Sequence, residues 1–263
     1  AQGFRGVWHL AEAGGTMVGG YKDATQNRFH GTGVHLSSAN RVDAVIGKGQ
    51  RFFSAQNQWI GCGRIVPPLS AATGHFTWSC WVKLDAGNAE EAVVLGSRSG
   101  ACDPEQYMKI EVGQLDWFYG DESGGLGSQI PASTWEKIDV VKSGSALRYY
   151  RNGVQTSVGS INRDLGCLVW NIGGDSALDE GFQCLNGTVD ETRLESVGRS
   201  PEWVRLCYEN QKPGSNFTLI TDWGTSLPPG SVFRIGDTLT HSPESDGENV
   251  GLIMGLPVTL SRS

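Results

Sequence analysis

The sequence has no long hydrophobic run: no stretch reaches the roughly 18 apolar residues that a membrane-spanning helix requires. Its first four residues, Ala1 to Phe4, also lack the charged and apolar regions of a secretory signal peptide. We therefore expect no membrane insertion. We also expect this chain to be a mature form, or a domain excised from a larger multidomain polypeptide.

Positive charge is scarce as well. The chain carries 21 Lys and Arg against 28 Asp and Glu, which gives a formal net charge of -7. The basic residues are scattered along the sequence, whereas nucleic acids and anionic membranes are bound by clustered Lys and Arg. The charge balance therefore argues against nucleic acid as a partner and favours a neutral sugar or a cation.

Several motifs of common chemistries are missing. The five His residues do not cluster at metal-ligand spacing, and the sequence contains no Cys-x-x-Cys pair, no Gly-x-Ser-x-Gly elbow and no phosphate-binding loop. These absences argue against a zinc site, a thioredoxin-like redox site, a serine-hydrolase triad and a nucleotide-binding fold.

The cysteines instead indicate an oxidising compartment. There are six, at positions 62, 80, 102, 167, 184 and 207. Cys167 and Cys184 flank a loop that a disulfide would close, and Cys62 and Cys102 lie in loop-like segments where a second disulfide would fit, among fifteen possible connectivities. The remaining two cysteines lie on apolar stripes and are expected to be buried thiols.

Glycine is abundant, with 37 residues, while hydrophobic residues make up 38% of the chain. That combination favours short strands joined by tight turns over long helices. Strand-like segments follow one another at the spacing of an all-β sandwich, at 4–10, 30–36, 49–53, 58–60, 76–84, 92–97, 107–112, 114–119, 135–141 and 147–150. In the clearest of them, alternation predicts that Phe76, Trp78, Cys80, Val82 and Leu84 face the core.

One helix is predicted near the end of the ordered pattern. Ser200 offers a side-chain cap, Pro201 suits the first helical position, and the helix should end near Lys212. Apolar residues at i, i+3 and i+4 form its expected buried stripe, at Trp203, Leu206 and Cys207.

Six motifs in this order are similar to a known family: Gly6-Val-Trp-His-Leu10, Lys22-Asp-Ala-Thr25, Phe76 to Leu84, Tyr150-Arg-Asn-Gly153, Val189-Asp-Glu-Thr-Arg193 and Arg199 to Gln211. Together they resemble the concanavalin A-like, laminin G/pentraxin-type jelly-roll domains of secreted bacterial surface and polysaccharide-degrading proteins. The resemblance covers about residues 4–213.

The resemblance implies a two-sheet antiparallel jelly-roll sandwich with one short C-terminal helix. It places this domain at residues 1–213. From Asn216 onward the composition changes, so we expect residues 214–263 to be a C-terminal extension, either with short strands or partly ordered. The resemblance also implies a secreted or cell-surface location within a larger chain.

Domains of this kind often hold a structural calcium ion, and the resemblance brings Asp23 of the first turn near Asp190 of the last long strand. The expected cofactor is therefore Ca²⁺, with these two acids supplying part of its six to eight oxygen ligands. The alternative is that Asp23 caps a turn and Asp190 accepts hydrogen bonds from buried backbone amides without a metal.

Sugar recognition requires flat aromatic faces with amides and carboxylates around them. Trp117 and Tyr119 share a strand face beside a glycine-rich, acidic loop, and Trp170 lies in the Cys167–Cys184 loop with Asp175. Trp59 is surrounded by Gln and Asn residues. These five residues are the predicted carbohydrate-binding site, and a polysaccharide or glycan is the predicted partner.

Three functions remain open. The first is a non-catalytic, lectin-like carbohydrate-binding module. The second is a glycoside hydrolase of the endo-glucanase or xylanase type, with an atypical carboxylate pair among Glu191, Glu195 and Glu136. Laminarinase-type members place three acids on one strand face by Glu-x-Asp-x-Glu spacing, whereas alternation here divides Asp190, Glu191 and Glu195 between two faces. The third is a structural or interaction domain of a surface protein.

Overall fold

The computed structural model describes residues 3–65, 74–87, 91–97, 106–119, 122–162, 168–174 and 183–214. These residues form fifteen strands, one α-helix and two short 3-10 helices, Ser38–Asn40 and Ser54–Gln56. The strands and the α-helix are β1 (Phe4–Trp8), β2 (Thr32–Val34), β3 (Arg41–Asp43), β4 (Lys48–Phe52), β5 (Trp59–Ile65), β6 (His75–Leu84), β7 (Glu91–Ser97), β8 (Gln106–Glu111), β9 (Gln114–Tyr119), β10 (Glu122–Ser123), β11 (Trp135–Ser143), β12 (Ala146–Arg151), β13 (Val154–Ser160), β14 (Leu168–Ile172), β15 (Gly187–Glu195) and α1 (Pro201–Gln211).

The strands form two antiparallel sheets. The first sheet has the order β13-β12-β11-β6-β15-β4-β3, and β1 also pairs with β15; the second has the order β10-β9-β8-β7-β14-β5-β2. β15 is bonded to β6 on one side, and its other side is shared between β4 and β1. The predicted fold class, an all-β two-sheet jelly-roll sandwich with one helix, is confirmed.

Aromatic rings form the centre of the core between the two sheets. The Trp78 ring of β6 lies 5.1 Å from Phe76, 5.8 Å from Trp117 and 5.0 Å from Trp170, measured between centroids. Trp8 stacks on Trp170 at 6.0 Å. The alternation predicted for β6 is confirmed, since the five residues predicted for its core face are all buried in this cluster.

A bulge interrupts β15 at its centre. The pairing of β15 with β6 shifts between Asp190 and Arg193, and Glu191 adopts a left-handed conformation with φ of 50°. The extra residue reverses the inside–outside alternation beyond it, so that Arg193 pairs with Ser79 on the outer face. The prediction that alternation divides the acids of β15 between two faces is therefore wrong: Asp190 and Glu195 face outward, and Glu191 contacts the helix on the same side.

The helix α1 covers the outer face of the first sheet. Its cap is as predicted, because the Ser200 hydroxyl accepts a hydrogen bond from the Trp203 N–H and Pro201 opens the helix. Val204 packs with Val141 and Tyr150 in a second, small apolar cluster. The predicted stripe is only partly correct.

The buried face of α1 is rotated from the predicted stripe. Trp203, Leu206 and Cys207 are half-buried, whereas Val204 and Gln211 are fully buried. The sheet beneath the helix is lined by charged residues as well as apolar ones. Gln211 therefore faces the sheet together with Val204, and its side chain accepts a hydrogen bond from Trp81.

The predictions for the cysteines have different outcomes. Cys62 and Cys80 are buried free thiols, and Cys207 is a half-buried one. Cys62 therefore does not show the predicted bond to Cys102. Cys102 and Cys167 lie outside the described residues, so the Cys167–Cys184 disulfide stays a prediction, as does the C-terminal extension at 214–263.

We expect Trp78→Ala to lower the free energy of unfolding by about 3–5 kcal/mol, because it removes the ring that three other core aromatics contact. Guanidinium denaturation followed by far-UV circular dichroism measures this. The matched control is Trp135→Ala, since Trp135 is only half-buried at the start of β11. Equal losses in the two variants would contradict this view of the core.

Candidate functional site

One carboxylate holds the first turn of the chain, residues 23–29. Oδ1 of the buried Asp23 accepts hydrogen bonds from the backbone N–H groups of Val7 and Thr25, both at 2.9 Å. Oδ2 accepts from the Thr25 hydroxyl at 2.8 Å and from the Phe29 N–H at 3.0 Å. Asp23 thereby fixes the turn against β1.

An open cavity of about 550 Å³ lies next to this turn, and we call it the turn pocket. It is lined by Phe4 and Val7 of β1, by residues 24–27 of the first turn and by Arg193 of β15. Val7 pairs with Arg193, which also pairs with Ser79, so the pocket opens on the outer face of the first sheet. Its volume lies within the roughly 300–1,000 Å³ that is typical of small-ligand sites.

Behind the pocket, Arg193 is bonded to the carboxylate of Glu191. Nη2 of Arg193 lies 3.1 Å from Oε2 of Glu191, and Nδ1 of His9 lies 2.6 Å from Oε1. Nε2 of Gln211 in α1 makes a longer contact with Oε2, at 3.5 Å. The side chain of Glu191 is 4% exposed and that of His9 is 53% exposed. Glu191 therefore connects the end of β1, the middle of β15 and the helix.

The contact shifts the pKa values of His9 and Glu191 in opposite directions. The hydrogen bond to Glu191 raises the pKa of His9, against the opposing effect of its partial burial. Burial acts to raise the pKa of Glu191, but the hydrogen bonds and charges of His9 and Arg193 outweigh it, and the pKa is lowered. The charged form of each group is therefore favoured in the folded protein.

The ring of Phe4, the aromatic group of the turn pocket, contacts an arginine. The guanidinium of Arg199 lies 5.3 Å from the centroid of the Phe4 ring and 4.3 Å from that of Trp203. Arg199 forms an ion pair with the buried Glu195. The ring of Phe4 is thus held between the sheet, the arginine and the pocket.

The predicted calcium site stays a prediction, and the hydrogen bonds of its two acids leave little of Asp23 for a cation. Both oxygens of Asp23 already accept hydrogen bonds from N–H and O–H donors, which leaves little capacity for a cation. Asp190 accepts a hydrogen bond from the Ile46 N–H, and burial raises its pKa to about 7. The described residues contain no group of three or more His, Cys, Asp or Glu side chains that could hold a metal. Asp23 has the turn-capping role that we considered as the alternative.

The predicted catalytic acids are all engaged. Glu191 is bonded as described, Glu195 pairs with Arg199, and Glu136 accepts a hydrogen bond from the Asn152 amide at 2.6 Å. Burial raises the pKa of Glu195, whereas the burial of Glu191 is outweighed by its cationic partners, which lower its pKa. None of the three lines the turn pocket, however.

Two of the predicted sugar-binding aromatics are core residues. Trp117 and Trp170 have no exposed surface, and both pack against Trp78. A sugar cannot stack on a ring whose faces are covered, so these two predictions are wrong. Trp117 pairs with Met108 on the inward side of the second sheet, and the alternation of β9 alone does not show which side is inward.

The other three residues that were predicted to bind sugar lie in different places. Tyr119 is half-buried and packs against the core. Trp59 is half-buried, and its ring covers Gly61 on the outer face of the second sheet. Asp175 lies outside the described residues. Tyr119 and Trp59 stay predictions, because neither lines the turn pocket.

Sequence reasoning missed a second polar cluster, on the outer face of the second sheet. The buried Nζ of Lys109 lies 3.1 Å from carboxylate oxygens of both Glu91 and Glu111, and 3.8 Å from the centroid of the Phe118 ring. Asp116 lies opposite Lys109 on β9. We call these four charged residues and Phe118 the second-sheet cluster. The signal was one acid in each of β7, β8 and β9, together with a lysine in β8.

The acid with a displaced pKa in this cluster is Asp116. Burial raises its pKa to about 6, although it accepts hydrogen bonds from the Ser123 hydroxyl, at 3.0 and 2.8 Å, and from the Trp117 N–H. Its charged form is thus less favoured than that of an ordinary aspartate.

Sequence reasoning also missed the turn pocket itself. Phe4 falls in the first predicted strand and Arg193 in a family motif, and the sequence singles out neither Gln26 nor Asn27. The useful signal was the Asp-x-Thr turn at Asp23, which fixes its own backbone and so presents the following amides at the surface.

We expect the contact between His9 and Glu191 to make stability depend on pH. The raised pKa of His9 contributes stability that is fully present below its ordinary value of 6.5 and is lost as pH rises through the raised value. The lowered pKa of Glu191 contributes stability that is present above 4.5 and is lost as pH falls through the lowered value. Chemical denaturation at pH 6 and pH 9 should show wild type losing more stability than His9→Gln.

The control for this experiment is His35→Gln, which removes an exposed histidine that contacts only backbone carbonyls of residues 56 and 57 among the described residues. It should keep the wild-type difference between the two pH values. An unchanged difference in His9→Gln would show that the contact does not stabilise the fold.

The chain is similar in fold to several solved structures. Domain 4 of AbnA, an extracellular arabinanase of Geobacillus stearothermophilus solved in complex with arabinotriose, matches with a TM-score of 0.57 and 17% identity, covering 77% of this chain and 97% of that one. The binding domain of Paraclostridial mosquitocidal protein 1 matches with a TM-score of 0.55 and 15% identity, covering 79% of this chain and 52% of that one.

A sialidase of Trypanosoma rangeli, solved in complex with 2,3-difluorosialic acid, matches with a TM-score of 0.56 and 13% identity, covering 78% of this chain and 33% of that one. This chain thus spans about half of the mosquitocidal binding domain and a third of the sialidase. At these identities the likeness shows the fold alone. No curated protein matches the sequence.

Within the described residues, no helix is long and apolar enough to cross a membrane. A family model of the laminin G type, described as the concanavalin A-like lectin/glucanases superfamily, matches residues 63–205, which is just over half of the chain. With its two-sheet sandwich and its ordered motifs, the chain belongs to this laminin G family of the concanavalin A-like superfamily.

Proposed function

We propose that this chain is a non-catalytic carbohydrate-binding module of a secreted or cell-surface protein, and that the turn pocket holds the glycan. The observation that carries the proposal is the lining of the pocket. It combines an aromatic ring, an aliphatic side chain, a hydroxyl, amides and one guanidinium around an open volume of about 550 Å³.

These groups match the two kinds of surface that a sugar presents. The ring of Phe4 and the side chain of Val7 offer apolar area for the C–H face of a pyranose or furanose. Gln26 and Asn27 are exposed at the rim, where their amides can donate to and accept from hydroxyl groups. The site therefore combines three apolar residues, Phe4, Val7 and Ala24, with four polar ones, which gives it more polar groups than most ligand pockets have.

The turn is built before any ligand arrives. Asp23 accepts four hydrogen bonds within the turn and from β1, and the Asn27 side chain donates to the Arg5 carbonyl at 2.8 Å. A preformed site avoids part of the ordering cost of binding, which supports recognition rather than a structural role.

Binding without catalysis is favoured because the pocket has no acid. Glycoside hydrolysis by this fold requires two carboxylates on either side of the bond that breaks. The lining of the turn pocket contains no Asp or Glu. Asp23 lies behind one wall with both oxygens bonded to N–H and O–H donors, and Glu191 is held behind Arg193. The AbnA domain with arabinotriose supports a glycan role for this fold, and its extracellular source supports secretion.

We expect this chain to be retained on at least one soluble polysaccharide in affinity electrophoresis on arabinan, glucan, xylan, mannan and galacturonan, without releasing reducing sugar. Phe4→Leu keeps the apolar volume but removes the flat ring, and Gln26→Ala removes one exposed amide. Each should weaken retention about tenfold, which corresponds to about 1.4 kcal/mol.

The control is Val154→Ala, an exposed residue of β13 that should leave retention unchanged. Chelator should also leave retention unchanged, because the Asp23 carboxylate is occupied by hydrogen bonds. Retention that survives both pocket variants would place the glycan elsewhere. Neither retention nor release on any polysaccharide would favour the structural or interaction role.

The second candidate function is glycoside hydrolysis at the second-sheet cluster. Asp116, with its pKa raised to about 6, has the protonation behaviour of a general acid. Asp116 and Glu111 are diagonal neighbours on paired strands, which places their backbones about 7–8 Å apart. Catalysis would require their carboxyl groups to lie about 5–9.5 Å apart, on either side of the bond that breaks.

This second function predicts reducing-sugar release that falls as pH rises above about 6, since Asp116 then loses its proton. Asp116→Asn and Glu111→Gln would each abolish release, whereas Glu209→Gln on α1 would not. Absence of release by wild type between pH 4 and pH 8 would exclude hydrolysis and leave the binding function.

A further inference from the structure

We propose that the turn pocket selects sugars that carry a carboxylate, with the guanidinium of Arg193 as the group that recognises it. This inference rests on the proposed function and names the class of glycan that the same pocket takes. It opposes the expectation from composition, which favoured a neutral sugar or a cation.

The first argument is the charge of the lining. Among the described residues that line the pocket, Arg193 is the one charged side chain, and the rest are apolar or neutral. The chain has a formal net charge of -7, so a cavity lined by one cationic side chain and no acidic one has the opposite sign to the protein as a whole. A carboxylate entering this cavity meets a positive side chain and no acidic one among the residues that line it. The carboxylate of Asp23 lies behind the opposite wall, where the Val7 and Thr25 N–H groups and the Thr25 hydroxyl donate to it.

The second argument is the unused capacity of the guanidinium. Arginine presents five N–H donors in a planar fork. In the described residues Arg193 has one bond, from Nη2 to Glu191, and its side chain is still 19% exposed where it meets the pocket. The remaining donors suit a carboxylate, which Arg binds with two parallel hydrogen bonds.

The third argument is that Glu191 does not neutralise Arg193 alone. Its carboxylate is shared with His9, 2.6 Å from the other oxygen, and with the Gln211 amide. Glu12 also acts electrostatically on His9, but its Oε1 accepts a hydrogen bond from the Lys22 N–H and it does not line the pocket.

Glu195 and Asp139 also act electrostatically on Arg193. Glu195 pairs with Arg199 and Asp139 with Lys137, however, and neither acid lines the pocket. Because Glu191 and these two acids each have a second cationic partner, Arg193 keeps part of its positive charge for a ligand.

A second groove on the surface provides a contrast. It runs between α1 and the β12–β13 hairpin, and its lining contains Glu202, Glu209, Arg205 and Lys212. Its acids and bases balance, and Lys212 pairs with Glu209 at 2.5 Å. That groove has no preference of sign, so the selectivity for an anion is specific to the turn pocket.

The test compares ligands that differ only in charge. Isothermal titration calorimetry at low salt would measure a galacturonic acid trimer against its methyl ester, and sialyllactose against the methyl ester of its sialic acid. We expect each acid to bind at least tenfold more tightly than its neutral partner, and the stronger pair tells whether a uronic or a sialic acid is preferred. That ratio corresponds to about 1.4 kcal/mol.

Variants then assign the preference to one side chain. Arg193→Gln should bring the ratio of acid to neutral affinities close to one, while Arg193→Lys should keep the preference in weakened form, because it retains the charge but not the fork. The matched control is Arg205→Gln, which removes an equal charge from the exposed face of α1 and should leave the ratio unchanged. Unfolding curves of each variant confirm that it is folded.

The outcomes separate this inference from the proposed function. Equal binding of acid and neutral sugars by wild type would overturn the inference and leave the carbohydrate-binding function intact. Absence of binding by all four ligands, together with no retention on the polysaccharide panel, would overturn both. A preference for acids that persists in Arg193→Gln would also overturn it, since another cation would then be responsible.

Discussion

The outer side of the first sheet depends on one buried carboxylate, that of Glu191. Its partners come from three distant parts of the chain: His9 after the first strand, Arg193 within β15 and Gln211 at the end of the helix. A buried carboxylate is stable only while it is bonded; breaking a fully buried pair costs about 3–5 kcal/mol, and the cost is lower for a partner as exposed as His9, at 53%. The left-handed backbone at Glu191 costs about 1–3 kcal/mol, which these bonds offset. One charge therefore constrains the first strand, the bulge and the helix together.

The turn pocket follows from that constraint. The bulge places Arg193 on the outer face opposite Val7, and the bond to Glu191 holds its guanidinium at the edge of the cavity. On the opposite wall, Asp23 fixes the backbone of the first turn. The two walls belong to the first 27 residues and to position 193, so the geometry of the site depends on the pairing of β1 with β15. The site is rigid because both of its walls are fixed by buried carboxylates.

Much of the fold could be predicted from local pattern. The alternation of β6 and the Ser-Pro start of α1 each express one physical rule, and both are confirmed. Which face of a strand points toward the core was harder to predict. Trp117 alternates correctly within its strand, yet which face is inward depends on the other sheet, and the bulge at Glu191 breaks the period of two on which the reading of β15 relied. The turn pocket joins residues far apart in sequence and has no local motif, so the sequence could name its parts but not bring them together.

The net negative charge of the chain does not oppose recognition of an anion at this pocket. At physiological ionic strength the Debye length is about 8 Å, so charges scattered over the rest of the surface are largely screened at the cavity. What a carboxylate meets at contact distance is the guanidinium of Arg193, in a lining without acids. Charge-assisted hydrogen bonds are about twice as strong as neutral ones, and this one forms where the partner is already held in place by Glu191. Selectivity at this site is therefore decided by the nearest charge rather than by the total charge of the protein.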